Sequence, residues 1–477
     1  MAYDYLPCDR DQPFLMPPSL REWLPEGHLV WFVIDTVAQV DLSAFHKRKR
    51  DDPRGAAAFQ PTMLLSLLMY AYSRGVRSSR QIERLCHEDV AYRILCANLA
   101  PDHATIARFR QQHEAPMNTL FNEVLRLCNE AGIVKLGVVA LDGTKVAAKA
   151  SLDANRTRKH IEAEVERMLK EAAEVDAAED ALFGPDRNGD ELPAELADPK
   201  TRLERLRAAK RRLDEEQARR DTEHAQHLQK RAEEEARQDR KLRGRKPKPP
   251  VVDKEAQANV TDPDSRMMKT RRGYVQGYNV QAVATREQIV IATEVTDEAN
   301  DVRQLVPMMT AMAATLEAAG VSSPRVRMLL ADAGYWSEEN EKAIAKLPVD
   351  EALIATTKDW KRRKELREEG SPRGRIPSDM SRTERMERRL RTKRGQRMYA
   401  QRGCTIEPVF GQNKDGRGFD RFMRRGQAAV SAENKLMFAV HNMLKLFGKR
   451  RASGPSHPAA GGASHGPVTA QVIPAWA

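Results

Sequence analysis

Three acidic residues stand where a folded chain could aim carboxylates at one point. Asp142 follows the apolar run 138–141 in VVALDGTKVAAK, which reads as a buried strand. Asp332 follows a second β-type run, 325–330, in LLADAGYWSEEN, and Glu407 stands on a late helix in YAQRGCTIEPVFGQNK. An ionised aspartate inside an apolar strand is costly unless it is paired or metal-bound. An acid at the exposed end of a strand, held by a rigid sheet, suits a metal site. Two of the three acids terminate strands, which predicts that both lie on one edge of a single sheet. Three carboxylates gathered there would repel one another without cations, and such an oxygen set suits Mg²⁺ or Mn²⁺. Two ions about 4 Å apart can activate a water or a 3′-hydroxyl and stabilise the leaving oxygen of a phosphodiester. Taken alone, Asp142-Gly143 reads first as a short hairpin turn.

The totals bound the setting of that chemistry. At 477 residues the chain is long enough for two to four domains. Hydrophobic residues make up 41% and charged residues 31%, so it can bury a core and also carries a strongly charged portion. No apolar run approaches the length of a spanning helix, and the first thirty residues lack the pattern of a signal peptide. Membrane roles are therefore not expected. The five cysteines, Cys8, Cys86, Cys96, Cys128 and Cys404, are odd in number, with no CxxC pair. That predicts reduced thiols in a cytoplasm and disfavours a zinc knuckle. An excess of 80 basic over 68 acidic residues gives a net charge of +12, which suggests a polyanionic partner, nucleic acid before membrane.

The elements that must position the acids read as follows. Residues 1–135 form a helical N-terminal domain, with a short capped helix near Leu20, an apolar helix opened by Pro61 and stopped by Gly75, and a segment 102–113 begun by Asp102. Arg108 and Arg110 on that last segment suit a helix-turn-helix that reads DNA, or an ordinary bundle with arginines facing water. Residues 136–155 and 259–447 form an α/β core interrupted by 156–258. The interruption reads as a charged helical hairpin with narrow apolar stripes and a solvated face, its turn-rich break at 183–199. It ends in RKLRGRKPKPP, where Arg243, Arg245 and Lys246 suit an arm in a minor groove or a stiff basic linker. Residues 358–403 read as basic and turn-rich, and 448–477 as a low-complexity disordered tail. Trp336 could stack on a displaced base or simply pack beside Tyr335. Asp262 and Asp264 could assist a metal or shape a turn. Glu433, Asn434 and Asn442 lie on the final helix, where the asparagines could bind backbone or phosphate, or be ordinary polar residues of a helix face.

Taken together, ALDGTKV, LLADAGYWSEEN and YAQRGCTIEPVFGQNK resemble the motifs of DDE transposases of bacterial insertion sequences. In that signature a tyrosine and an arginine precede the catalytic glutamate and a lysine follows it, here Tyr399, Arg402, Glu407 and Lys414. The arginine-to-glutamate spacing is one residue longer than in one well-known branch. The resemblance spans roughly residues 10–447. It implies a mixed α+β chain with an RNase H-like catalytic core, and a bacterial, nucleoid-associated protein acting on transposon ends and target DNA as a homodimer. It further implies Asp142, Asp332 and Glu407 as catalytic ligands of two Mg²⁺ (or Mn²⁺) ions, with Tyr399, Arg402 and Lys414 holding DNA phosphates near the cut. In-line attack by water would free a 3′-hydroxyl that then attacks target DNA. A non-catalytic DNA-binding protein and an RNase H-like nuclease without strand joining are the alternatives.

Overall fold

The computed structural model describes residues 19–46, 58–168, 170, 198–241, 247–270, 273–377 and 379–452. Arg243, Arg245 and Lys246 lie outside the described residues, as do Cys8, most of the expected break at 183–199 and the tail beyond 452.

Seven helices precede the sheet: α1 (Leu29–Ala38), α2 (Ser43–His46), α3 (Pro61–Ser73), α4 (Ser79–Glu88), α5 (Val90–Leu95), α6 (His103–Gln112) and α7 (Glu114–Glu130). Local chemistry sets their ends. Pro61 opens α3, where its missing N–H costs nothing. The Asp102 carboxylate accepts from the Thr105 amide at the start of α6. Gly75 and Gly132 take positive φ just past α3 and α7, conformations that exact a steric penalty from other residues.

The sheet comprises β1 (Val138–Ala147), β4 (Arg266–Thr270), β5 (Gly273–Thr285), β6 (Val290–Thr296), β7 (Val326–Ala331) and β8 (Val349–Ile354), while β2 (Asn155–Thr157) and β3 (Gln257–Asn259) form a separate two-stranded ribbon. Within the sheet β5 runs antiparallel to β1, β4 and β6, whereas β7 is parallel to β1 and β8 parallel to β7. The β2–β3 ribbon is the doorway of the insertion. Between its strands lie a helical stretch α8 (residues 158–168) and α9 (Asp198–Arg237). Ile161 and Val165 pack on Leu206, Ala209 and Leu213, a small core separate from the main one. The charges of α9 are not only a solvated face. Arg212 pairs with Asp297, Glu216 with Arg266, Arg219 with Glu298 and Glu223 with Arg303, tying the helix to the start of β4 and to the segment after β6.

The remaining helices are α10 (Leu305–Ala318), α11 (Glu338–Ile344), α12 (Trp360–Glu368), α13 (Arg382–Arg391), α14 (Lys393–Tyr399), α15 (Gln401–Thr405), α16 (Glu407–Arg417) and α17 (Gln427–Ala452). The turn-rich reading of 358–403 is thus corrected: four helices occupy it. A Ser381/Glu384 capping box starts α13 and the Thr392 hydroxyl caps α14, signals that the basic composition obscured. α17 also runs four residues beyond the expected start of the tail at 448.

α17 is the spine that joins the two expected domains, since one continuous core holds both the N-terminal helices and the sheet. Among its polar side chains Glu433, Asn434 and Asn442 are buried and partnered, and the backbone bonds of Asn442 match the backbone role expected for it. Asn442 accepts from the Val290 amide and donates to the Val290 carbonyl, closing part of the β6 edge, and Asn434 donates to Thr293. Glu433 accepts from Arg77 and from the amides of Met423 and Arg424. Asp262 and Asp264 accept from the amides of Gly426 and Gln427 and so cap the start of α17, the structural role that their turn position allowed.

His441 gives the core a measurable pH dependence. Its Nε2 lies 2.9 Å from the Gln288 carbonyl, and burial, with further repulsion from Arg417 and Lys445, pushes its pKa down to about 3. The unfolded chain therefore binds a proton that the folded chain refuses between pH 6.5 and 3. Stability from this group is complete above pH 6.5 and is lost on acidification, by about 1.4 kcal/mol per pH unit inside that window. Denaturant titrations from pH 7 to 5 should show a shallower decline for His441→Gln than for the wild type; equal slopes would contradict the assignment.

Candidate active site

The register of β1 decides where its acid points. β5 pairs with β1 from Val139 to Ala147, nine positions without a break, so Asp142-Gly143 is not a turn and Asp142 is not at a strand end. This corrects the sequence expectation. On the other edge, parallel β7 pairs only through Leu141↔Ala331 and then stops. The next residue on each strand is an aspartate, Asp142 and Asp332, which puts both at the same level of one sheet edge. Beyond that level the β1 edge is uncovered until Ala147, whose amide donates to the Asp420 carbonyl while its own carbonyl accepts from Phe422. The result is a notch in the sheet, walled by β1 and by the end of β7.

Helices α15 and α16 close on this notch. Arg402 donates from one guanidinium nitrogen to Asp142 at 2.8 Å and from the other to Glu407 at 3.2 Å. Arg402 thus stands between Asp142 and Glu407, two of the three acids expected from sequence. Burial pushes the Asp142 carboxyl up to about 6; Arg402 opposes that rise and Asp332 adds to it. Tyr399 donates its hydroxyl to the Ala331 carbonyl at 3.3 Å, directly before Asp332. Lys414 donates to the Lys145 carbonyl at 2.7 Å, satisfying an otherwise open backbone group on the β1 edge. Burial lowers the Lys414 pKa.

Other expected residues are taken up by the fold. Arg110 is half-buried and donates to the Tyr72 hydroxyl, the Arg77 carbonyl and Ser79, so it braces a helix corner instead of facing solvent. Arg108 is exposed. Trp336 is partly buried against the core, beside fully buried Tyr335, which fits the packed alternative.

The notch has a second polar wall that the sequence reading missed. Asp301 accepts from Asn279 at 2.7 Å and Gln281 at 2.9 Å and pairs with Lys145 at 3.5 Å. Tyr335 donates to Gln281 from inside the core. Near Gly334, a Cβ would come within 2.8 Å of Asp332 Oδ1, 3.1 Å of Asp301 Oδ2 and 3.1 Å of Lys358 Nζ, so these groups share one small volume. The available signal was the polar alternation Asn279, Gln281 inside an otherwise apolar strand, which marks one face of β5 as lining a polar site.

Asp142 and Asp332 offer hard oxygen donors suited to Mg²⁺ or Mn²⁺. Among the described residues no three His, Cys, Asp or Glu side chains converge closely enough to hold an ion as they stand. The physical reason is visible in Arg402: Glu407, whose side chain is 58% exposed, is directed to the guanidinium instead of joining the aspartates. The four described cysteines are free thiols. Among the described residues no helix is long and apolar enough to cross a membrane.

Two family models match parts of the chain. Residues 18–112 match the family model described as Transposase domain (DUF772), and residues 352–447 match the one described as Transposase DDE domain. The first covers α1 to α6; the second runs from β8 into α17 and includes Arg402 and Glu407. Together they support the chain's assignment to the DDE transposases of insertion sequences. No curated protein and no solved structure matches the chain.

Gly143 gives the geometry a direct test. A Cβ there would strike Gln281 and lie 2.9 Å from Asp301 Oδ1 and 3.0 Å from Asn279 Oδ1, all part of the polar wall. Gly143→Ala should lower unfolding stability by about 1–3 kcal/mol. Gly411→Ala, inside α16 with open space around it, should raise stability by about 0.5–1 kcal/mol. Equal effects at the two sites in equilibrium denaturation would argue against the crowded wall.

Proposed function

We propose that this transposase binds the terminal inverted repeats of its own element and cleaves and transfers DNA strands on an RNase H-like core. Asp142, Asp332 and Glu407 are the metal-binding acids of this reading. The observation that carries it is the alignment of Asp142 and Asp332 at the level where β7 ends, with Glu407 tied to Asp142 through a single guanidinium. The sheet supports the core assignment: β6, β5 and β1 form an antiparallel meander, and β7 and β8 continue it in parallel, with the acids on the central strand and its neighbour.

The residues fit divalent ions by charge as well as by donor type. Arg402 bonds Asp142 and Glu407, Lys358 shares the volume around Asp332, and burial still pushes the Asp142 carboxyl up, which favours a further cation beside it. When bound, two Mg²⁺ or Mn²⁺ ions would activate water or a 3′-hydroxyl and offset charge on the leaving oxygen. The chain's own part is positional. Arg402 releases Glu407 toward the aspartates and turns its planar donor pair to a DNA phosphate. Tyr399 fixes the end of β7 and with it Asp332, while Lys414 holds the uncovered β1 edge. Asp301, Asn279 and Gln281 keep the floor of the notch polar and rigid. Holding two ends in one complex calls for two copies of the chain.

The test is a supercoiled plasmid carrying the gene with its native flanks, incubated in Mg²⁺ with wild type or Asp142→Asn. The expected outcome is nicked and joined products with wild type, and neither with the variant while it still retards flank DNA in EDTA. Undiminished nicking by Asp142→Asn would remove the ligand assignment. Nicking without joined products would reduce the activity to that of a nuclease, and retention of DNA without nicking by wild type would leave a binding protein.

A further inference from the structure

A second basic site lies away from the acids, where the N-terminal helices meet the core. A solvent-open cleft of about 480 Å³ is bounded by the start of α4, one side of α6, Lys149 just past β1 and the segment 423–425 before α17. Its lining includes six cations, Arg77, Arg80, Arg110, Lys149, Arg424 and Arg425, and no carboxylate.

These cations divide into two sets. Arg77, Arg110 and Arg424 form the floor and are fixed by the fold. Arg77 pairs with fully buried Glu433, Arg110 bonds Tyr72 and Ser79, and Arg424 pairs with Glu114. Arg80, Lys149 and Arg425 form the exposed mouth. Arg425 donates its Nε to the Lys149 carbonyl, which holds the two mouth residues together. Among the described residues, Arg80 and Lys149 have no carboxylate partner. Glu83 touches the rim only through His103. Like charges lining one cleft focus a positive potential that draws anions, and the exposed half has no carboxylate from the described chain to offset it.

We propose that this cleft grips the sugar-phosphate backbone of duplex DNA, independently of base sequence, beside the segment presented to the acids. The inference rests on the transposase reading and adds to it a binding surface built jointly by the N-terminal helices and the core. Lys149 stands seven residues beyond Asp142, so the two are separated by no more than about 23 Å of extended chain. On a duplex that span is about seven base pairs. A cleft of this volume admits a stretch of backbone and not a whole duplex. Its donors are point charges and forks that suit phosphate oxygens, with no Phe, Tyr or Trp in the lining to stack on a splayed base and the His103 ring held by Glu83.

The test measures binding of a labelled, arbitrary-sequence duplex of about 30 base pairs, long enough to span both sites by the rise per base pair. Fluorescence anisotropy is recorded in EDTA across a salt series, using the full chain. The variants are Arg80→Glu/Lys149→Glu and the milder Arg80→Gln/Lys149→Gln. Lys342→Glu/Lys346→Glu, exposed on and just past α11 and outside the cleft lining, carries the same charge change as the first. Loss of two phosphate contacts should flatten the slope of log K against log salt by about 1.8 in both cleft variants, and affinity at low salt should fall at least tenfold. The α11 variant should keep the wild-type slope. The cleft assignment is overturned if wild type binds but the cleft variants lose no more than the α11 variant. If wild type fails to bind any duplex, the transposase reading falls with it. The glutamine pair keeps the test decisive should charge reversal prevent folding.

Discussion

The unequal lengths of two strand pairings govern this molecule. β1 stays paired to β5 for nine residues, but its parallel partner β7 leaves after four. The first arrangement makes Asp142 rigid; the second leaves its edge open. Where β7 ends, β1 has no strand partner on that side, and Arg402 from α15 bonds Asp142 at the level where the pairing stops. Because Asp332 follows immediately on β7, the same interruption that opens the notch delivers the second acid. Arg402, Glu407 and Lys414 then enter through the gap from α15 and α16.

Charge balance explains how such a notch persists. Burial, with Asp332 adding to it, raises the Asp142 pKa. Arg402 offsets part of that cost by bonding Asp142 and Glu407 together. Asp301 is handled differently: two amides and Lys145 surround it, so it belongs to the structural wall. Around the site, α17 joins β6 to the N-terminal helices through bonded side chains, and α9 clamps the segment between β6 and Asp301 by ion pairs. The rigidity of the notch thus depends on elements far from it in sequence.

Much of this was legible before any coordinates. The apolar run ending at Asp332, the proline-opened α3 and the Asp102 cap all carry local signals, and Asp142 and Asp332 do share one level of the sheet, whereas Glu407 turns to Arg402. The course of β1 was not legible, because Asp-Gly has the same local preference in a turn and in a strand; only nine cross-strand pairs with β5 decide it. Nor could sequence say which basic side chains were free. Arg110 bonds Tyr72 and Ser79, and Lys414 the Lys145 carbonyl, partners too remote in sequence to be read from it. The helices in 358–403 were hidden because a high density of arginine masked ordinary caps. Asp301 was missed because its partners come from a strand some twenty residues earlier, and the polar alternation there is brief.

The gathering of Asp142, Asp332 and Glu407 around a divalent ion can be mapped without reference to catalysis. Fe²⁺ substituted for Mg²⁺, with ascorbate and peroxide, cleaves backbone close to where the ion binds, and the fragments can be sized by mass spectrometry. The account predicts three clusters of cuts, around residues 142, 332 and 407, all suppressed together by excess Mg²⁺. Cuts near only one of these, or a dominant cluster around Asp262 and Asp264 instead, would contradict it.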